Sequence, residues 1–541
     1  MRFLKAVVVY SVTSKYSVFQ KMKILSLKMD LREVELADRL SLFSCNVDPR
    51  LSWCNVGSLH TEHWIPITLH AASGFLISNC NTEMSSSLSV DLELRTNPGS
   101  EKVCVTFTLF PDYQNDQGIL CLPVSSTSGF SDEIYLYYLF IFNYVPPNTD
   151  NETPLSLVFP WVMPCANENA TFQPIIVGHA GAGVKRAYNG QGTDWPENTI
   201  CAFRRAEQLG VTMVECDAGI TKDFEVVLHH NFTLGVHEQP RKFENDPLTY
   251  ILEHKADDGV HEKSTDLLVN YQLSEIRSLL RKVDGMIGCA DVTQSGYPSP
   301  LTINDPVPSI LGSEAGPIPL LKNAFHQTSK NLCFDVELKY PVETPYNLIT
   351  EKLTKQKPIE CSLPTPSSYF CKINKFCDTI LDAIWSDAGP RYVMLSSFNP
   401  DVCIALQLKQ SLLPVFFITR GGYPCDNSHR SDPRHHNIFS AANWAHMMGL
   451  RGVVTVGFHF GSTNDVNEKQ AKSLAADLAS KQLSCFVYGD GVSEMSFYKK
   501  ALQLNLTGVI VDRLDEFMSE YYEEHRAKDK QSEILNPQLC R

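Results

Sequence analysis

Three short stretches decide the fold: Pro174–Gly181 reads PIIVGHAG, Thr212–Gly219 reads TMVECDAG, and Leu332–Tyr340 reads LCFDVELKY. Each is a compact apolar run that turns polar at its carboxyl end. Five more share that grammar: YVMLSSF (392–398), VFFITR (415–420), GVVTVGF (452–458), SCFVYGDG (484–491) and TGVIVDR (507–513). An uninterrupted apolar run of roughly four to eight residues marks a strand buried on both faces, as in a parallel sheet. Helix-like text such as NTICAFRRAEQLG (198–210) and AKSLAADLASKQ (471–482) lies between the runs. Eight such strands alternating with helices predict an α/β fold, a closed TIM (β/α)8 barrel in preference to an open sheet.

Outward from the barrel, which spans about 170–520, the text changes character. An interval at about 235–318, including TQSGYPSPLTINDPVPS, is polar and rich in Gly, Pro and Ser and reads as an insertion over one rim. Upstream, SLSVDLELRT (87–96) and KVCVTFTLF (102–110) alternate polar and apolar residues, the period of half-buried strands, so 31–150 reads as an N-terminal all-β, sandwich-like domain. Pro146-Pro147-Asn148-Thr149-Asp150-Asn151 is the linker, residues 1–30 are set apart as an N-terminal segment, and 521–541 as a C-terminal tail. Trp53 and Trp64 could form a carbohydrate platform, but paired tryptophans in such a domain are more often core, and carbohydrate binding is not expected.

Composition narrows the function classes. The 541 residues carry 47 Lys and Arg against 61 Asp and Glu, a net charge of −14, which excludes the broad basic field used to bind nucleic acid. An acidic protein that handles a small anion must concentrate positive charge locally. The longest apolar run, Ile134–Phe142, is too short for a membrane helix, so no transmembrane segment is expected. The 17 Cys, an odd number, show no paired spacing, and several sit inside apolar runs, which predicts reduced thiols and a cytoplasmic protein.

Barrel active sites are built at the carboxyl ends of the strands, where this chain is rich in polar residues. Side chains alternate along a strand, so Glu215 and Asp217 share one face, as do Asp335, Glu337 and Lys339. Carboxylates without a thiol pair select a hard divalent cation, Mg2+ or Ca2+, and the neighbouring ammonium suits an anion. In His179-Ala180-Gly181-Ala182-Gly183 the glycines, Gly181 among them, allow backbone to approach a bound group closely. VVLHHNFTL (226–234) offers His229 and His230, of which alternation lets only one face a pocket. Two histidines beside a metal suit acid and base work on a phosphodiester.

Taken in order, His179-Ala180-Gly181, Glu197-Asn198-Thr199, Glu215-Cys216-Asp217, Thr221-Lys222-Asp223, His230 and Glu337-Leu338-Lys339 resemble the glycerophosphodiester phosphodiesterase family. Ser397-Phe398-Asn399-Pro400, Tyr488-Gly489-Asp490 and Gly508–Arg513 extend the likeness, which is strongest to the glycerophosphocholine subgroup with a long N-terminal extension. The resemblance implies a metal held by Glu215, Asp217 and Glu337, catalytic His179 and His230, a phosphate-binding Lys339, and a supporting acid, Glu197. His230 is preferred to His229 because, counted from Thr221, it falls where the family has its histidine. The implied reaction is metal-dependent hydrolysis of a small glycerophosphodiester, by subgroup the choline ester, to sn-glycerol 3-phosphate and the free alcohol (choline) in phospholipid catabolism. Two departures stand out. The family arginine after the first histidine is Ala180 here, and the aspartate after the second is Asn231. Arg420 is the candidate replacement cation for the substrate; a catalytically impaired barrel acting as a binding or scaffold protein is the alternative.

Overall fold

The computed structural model describes residues 3–14, 40–44, 54–59, 74–83, 88–95, 102–109, 112–113, 116–125, 131–147, 173–183, 195, 197–232, 234, 267–278, 318–342, 372–422, 434–435, 437–463 and 468–535. Two compact units account for the chain: Met1–Pro147 with Tyr340–Leu381 and Ser397–Val453, and Asn148–Lys339 with Asp382–Ser396 and Val454–Arg541.

The amino-terminal part is all-β, as its alternation predicts. Strands β1 (Phe3–Ser14), β2 (Leu40–Ser44), β3 (Cys54–Leu59), β4 (Gly74–Glu83), β7 (Gln117–Ser125) and β8 (Ser131–Phe142) form one sheet in the order β3-β2-β4-β1-β8-β7. Every pairing in it is antiparallel. β5 (Leu88–Arg95) and β6 (Lys102–Leu109) pair as a separate antiparallel ribbon. Residues 1–30, set apart in the sequence, thus contribute a strand that sits between β4 and β8. Trp53 and Trp64 lie outside the described residues.

All eight apolar runs become parallel strands: β9 (Ile175–Gly178), β10 (Met213–Ile220), β12 (Cys333–Leu338), β13 (Val393–Ser397), β14 (Val415–Thr419), β15 (Gly452–Val456), β16 (Ser484–Tyr488) and β17 (Gly508–Val511). They run β10-β12-β13-β14-β15-β16-β17-β9, and a β10–β9 pairing closes the cylinder. β11 (Val226–Leu228) is a three-residue antiparallel addition on β10. The fold is the TIM barrel its strand count predicted. Burial on both faces explains why these strands read as continuous apolar runs: every residue of β10, β12, β13 and β14 is buried.

The described helices are α1 (Ile200–Gln208), α2 (Leu321–Gln327), α3 (Ile373–Asp387), α4 (Pro400–Lys409), α5 (Ile438–Met447), α6 (Glu468–Ser480), α7 (Met495–Gln503) and α8 (Leu514–Leu535). Local chemistry sets their starts. Thr199 Oγ1 accepts the Ala202 N–H at 3.3 Å to open α1, and Asn399 Oδ1 accepts from Asp401 and Val402 at 2.8 and 3.0 Å ahead of Pro400 to open α4. α1 then turns Phe203 onto Phe334 of β12, ring centroids 5.6 Å apart in an edge-to-face contact. The tail boundary expected at 520 falls inside α8, where the Tyr522 hydroxyl donates to the Leu209 carbonyl at 2.9 Å.

Of the insertion expected at 235–318, the stretch 267–278 is described, and it returns to the barrel. Leu268 N–H donates to Phe232 O at 2.8 Å and Lys222 N–H to Tyr271 O at 2.9 Å. Leu268 and Ile276 join Val227, Leu234, Ile318 and Leu320 in an apolar cluster. Among the described residues no helix is long and apolar enough to cross a membrane.

Within the first unit, a buried polar network ties β8 to α3 and α4. Asn374 donates to Asp116 Oδ2 from its backbone N–H at 2.9 Å and from Nδ2 at 2.8 Å, and its Oδ1 accepts the Phe142 N–H at 2.9 Å. Lys409 pairs with Asp378 at 2.9 Å and donates to Phe142 O at the same distance. Burial pushes the Asp116 carboxyl up to about 6, against the lowering effect of the Asn374 hydrogen bonds.

Candidate active site

β10 and β12 are neighbours in parallel register, with Glu215 opposite Asp335 and Asp217 opposite Glu337. The period of two along each strand therefore turns four carboxylates inward in two rows. In the upper row Asp217 and Glu337 are bridged by Lys339, whose Nζ lies 2.9 Å from Glu337 Oε1 and 3.4 Å from Asp217 Oδ1. In the lower row Asp335 accepts the Ser396 hydroxyl at 2.7 Å. One oxygen each of Glu215, Asp217 and Glu337 lies within 4.8 Å of the others, the arrangement a single ion could share.

The sequence grouped Asp335 with Glu337 and Lys339. The structure divides them, because Ser396 takes Asp335 and the cation-sized cluster draws on the other three acids.

Charge in this cluster is unbalanced. Burial, followed by Asp217, Glu337 and Asp335, pushes Glu215 well above the ordinary carboxylate range. Burial also raises Glu337, although Lys339 opposes it. For Asp217 the positive charges win: burial works against ionisation, but Lys339, His230 and the Asn198 hydrogen bond hold it below its ordinary value. Lys339 is correspondingly raised, since Glu337 and Asp217 outweigh its burial. Glu215 Oε1 is buried without a hydrogen-bond partner among the described residues. A buried carboxylate oxygen in that state, facing two further carboxylates and only oxygen donors, fits a hard divalent cation.

His179 follows β9 directly. Its Nδ1 lies 2.5 Å from Asp512 Oδ1, which follows β17, and its Nε2 is 3.7 Å from Glu215 Oε2. The Asp512 contact orients the ring and leaves Nε2 facing the carboxylates. The next residue, Ala180, has a left-handed backbone, φ +45°, and its N–H donates to Glu215 Oε2 at 2.8 Å. The glycines of this loop serve packing. A Cβ at Gly181 would meet Ala202 Cβ of α1 at 2.8 Å, and one at Gly183 would meet the Asp512 carbonyl oxygen at 1.9 Å. The close backbone approach expected at Gly181 is therefore made to α1.

Two adjacent histidines follow β11. His229 is buried, and its N–H donates to Asp217 O at 2.9 Å. His230 is exposed, with Nδ1 3.1 Å from Asn231 Oδ1, and the positive charge of Lys339 pushes its imidazole below the ordinary histidine range. Of the two, His229 is buried and His230 is exposed. Glu197 is half-buried ahead of α1, and Arg420 is half-buried immediately after β14.

Asn198 and Asp512 were not given roles from the sequence. Asn198 donates from Nδ2 to Asp217 Oδ2 at 2.8 Å and accepts the Asp217 N–H on Oδ1 at 2.9 Å, from a left-handed backbone at φ +58°. Glu215 and Asp217 are thus held by residues with left-handed backbone, Ala180 and Asn198, and His179 by a residue 333 positions away. The only hint was an Asn just before a helix N-cap, where side chains that tolerate positive φ are favoured.

The model of the "Glycerophosphoryl diester phosphodiesterase family" matches residues 189–516. Glycerophosphocholine phosphodiesterase GPCPD1 of Mus musculus is 27% identical over 352 residues, 64% of this chain and 44% of that protein. Glycerophosphocholine phosphodiesterase GDE1 of Eremothecium gossypii is 25% identical over 364 residues, 62% of this chain and 25% of that protein. The chain thus spans less than half the length of these relatives. An Oleispira antarctica phosphodiesterase solved with the product sn-glycerol-3-phosphate aligns over 64% of this chain and 97% of its own at 15% identity and a TM-score of 0.36. With well over half of its residues matched by the family model, the chain belongs to the glycerophosphoryl diester phosphodiesterase family.

Proposed function

We propose that the chain is a metal-dependent phosphodiesterase that hydrolyses a glycerophosphodiester, with glycerophosphocholine as its substrate, to sn-glycerol 3-phosphate and choline. The observation that carries this reading is the juxtaposition of the Glu215, Asp217 and Glu337 cluster with the His179–Asp512 pair and Lys339 at the carboxyl ends of neighbouring barrel strands. Glu215, Asp217 and Glu337 would hold a Mg2+ or Ca2+ ion. Such an ion, when bound, supplies charge neutralisation at the phosphoryl oxygens.

The protein's own groups do the rest. Lys339 donates to the phosphate, where its positive charge is sustained by two carboxylates. His179, fixed at Nδ1 by Asp512, presents Nε2 to move a proton, and His230 carries the second proton at the solvent side. Glu197 supports the carboxylates, Gly181 shapes the loop beside the substrate, and Arg420 adds a cation where the family arginine is Ala180. The reduced state of Cys216, Cys333, Cys377, Cys403 and Cys485, all buried thiols, supports a cytoplasmic setting.

The test is turnover of glycerophosphocholine by the full chain with Mg2+ or Ca2+ and with a chelator. Release of choline that depends on the ion supports the reading. Binding of the diester without release of product favours the scaffold alternative suggested by Ala180 and Asn231.

A further inference from the structure

Register decides which side chains share the inner face of the barrel. β17 pairs with β9 so that Ile510 faces Val177 and Val511 faces Gly178. One step further sets Asp512 opposite His179, in agreement with their hydrogen bond. β9 pairs in turn with β10, Val177 opposite Met213, which places Glu215 and Asp217 on that same face. On the other side of β17, β16 pairs Phe486 with Gly508 and Val487 with Val509. The next pair is Tyr488 with Ile510. Partners in parallel strands project to the same side, and residues two apart share a face. Tyr488 therefore stands on the face that carries His179, Asp512 and Glu215.

Tyr488 is the last residue of β16, at the active end of the barrel, and is half-buried. Around the cylinder the order is β16, β17, β9, β10, β12. The phosphate-binding charges on β10 and β12 lie to one side of His179, and the tyrosine lies to the other. A diester held by its phosphate at the first side sends one of its arms toward the second. Such an arm would come to the face that carries Tyr488, whose neighbours by register and sequence include two acids: Asp512, which follows the adjacent strand, and the exposed Asp490, two residues on. The loop between them is fixed, since the Asp512 N–H donates to Ser493 Oγ at 2.9 Å.

A trimethylammonium group has no N–H to donate. It is recognised by an aromatic face in a negative field, whereas a glycerol or ethanolamine arm seeks hydrogen-bond partners. We propose that Tyr488 is a specificity-determining residue that receives the quaternary ammonium of the substrate's headgroup against its ring. This inference rests on the diesterase reading above.

The test compares kcat/KM of the full chain for glycerophosphocholine, glycerophosphoethanolamine and glycerophosphoglycerol, in the wild type and in Tyr488→Leu, Tyr488→Phe and Tyr488→Trp. Tyr488→Leu should lower the value for glycerophosphocholine by about 2- to 30-fold and change glycerophosphoglycerol less than about twofold. Tyr488→Phe and Tyr488→Trp should preserve the preference for the choline ester. If the Leu variant does not fold, the Trp variant decides alone: a retained or raised preference supports the assignment, and a lost one overturns it. Equal losses on all three diesters in the Leu variant would also overturn it while leaving the diesterase reading intact. A wild type that cleaves none of the three removes both.

Discussion

Asn198→Ala is the sharpest test of how the acid cluster is held. The substitution deletes a donor to the Asp217 carboxylate at 2.8 Å and an acceptor for the Asp217 N–H at 2.9 Å. Asn198 is 1% exposed, so water cannot replace either contact. A hydrogen bond to a charged group contributes about 1.5–3 kcal/mol, and a buried N–H left unpaired costs about 1–3 kcal/mol. The backbone adds its own penalty, because Ala at φ +58° is strained by about 1 kcal/mol relative to a residue that tolerates the left-handed region. These contributions overlap, and the expected loss is about 3 kcal/mol or more in denaturant unfolding of the metal-free protein. Asn198→Gly relieves the strain without restoring the contacts, so it should be about 1 kcal/mol more stable than the Ala variant. The freed Asp217 carboxylate should also bind a divalent ion about 10- to 100-fold more weakly, read by calorimetric titration with Mg2+ or Ca2+. An Ala variant within about 1 kcal/mol of wild type, with unchanged ion affinity, would refute the positioning role.

Three further outcomes are expected. Asp512→Asn keeps a side chain beside His179 Nδ1 but removes the charge, and kcat for glycerophosphocholine should fall by about 10- to 150-fold, with KM nearly unchanged, because a charge-assisted bond is exchanged for a neutral one. Divalent ion at a hundredfold its Kd should stabilise the wild type by about 2.7 kcal/mol, and Glu215→Gln should abolish that stabilisation without weakening the metal-free fold, since the glutamine retains an acceptor for the Ala180 N–H and removes a carboxylate from a repulsive cluster. Asp116 is raised from 3.8 to about 6, so the folded state binds the extra proton between those values and stability should fall as pH rises through that window, by about 3 kcal/mol in all; Asp116→Asn, an isostere of the protonated form, should flatten the slope in pH-dependent unfolding.

What the sequence disclosed followed from strong local physics. The barrel strands are buried on both faces, so each writes itself as an apolar run, and strand alternation exposes Glu215 with Asp217 and Glu337 with Lys339 without any knowledge of the fold. Asp512 was opaque because its partner lies 333 residues away and meets it through barrel closure, a relation that no local pattern encodes. Asp335 shares a face with Glu337 as alternation expects, but its bond to the Ser396 hydroxyl arriving from β13 was not legible in its own strand. The boundary expected at 520 falls within α8, and the bond from Tyr522 to the Leu209 carbonyl that ties the helix there joins residues 313 apart, beyond any local pattern.

The Ala180 departure shows why backbone and side chain must be weighed separately. At this position the main chain has a task of its own: a left-handed turn, shared with the glycine that follows, aims the N–H at Glu215 Oε2 and lets the carbonyl accept from the Asn198 N–H at 2.9 Å. Both bonds survive any side chain that tolerates the turn. Loss of the family arginine thus leaves the placement of Glu215 and, through Asn198, of Asp217 undisturbed, while it subtracts one bidentate donor from the phosphate. On the proposed reading the consequence falls on the substrate's phosphate and not on the three clustered acids. The same separation holds at Asn231, which still accepts from the His230 ring at 3.1 Å but no longer brings a charge. Hydrogen-bond geometry is retained at both positions and charge is lost at both, so on the proposed diesterase reading phosphate binding should be weaker while the cluster of Glu215, Asp217 and Glu337 stays in place.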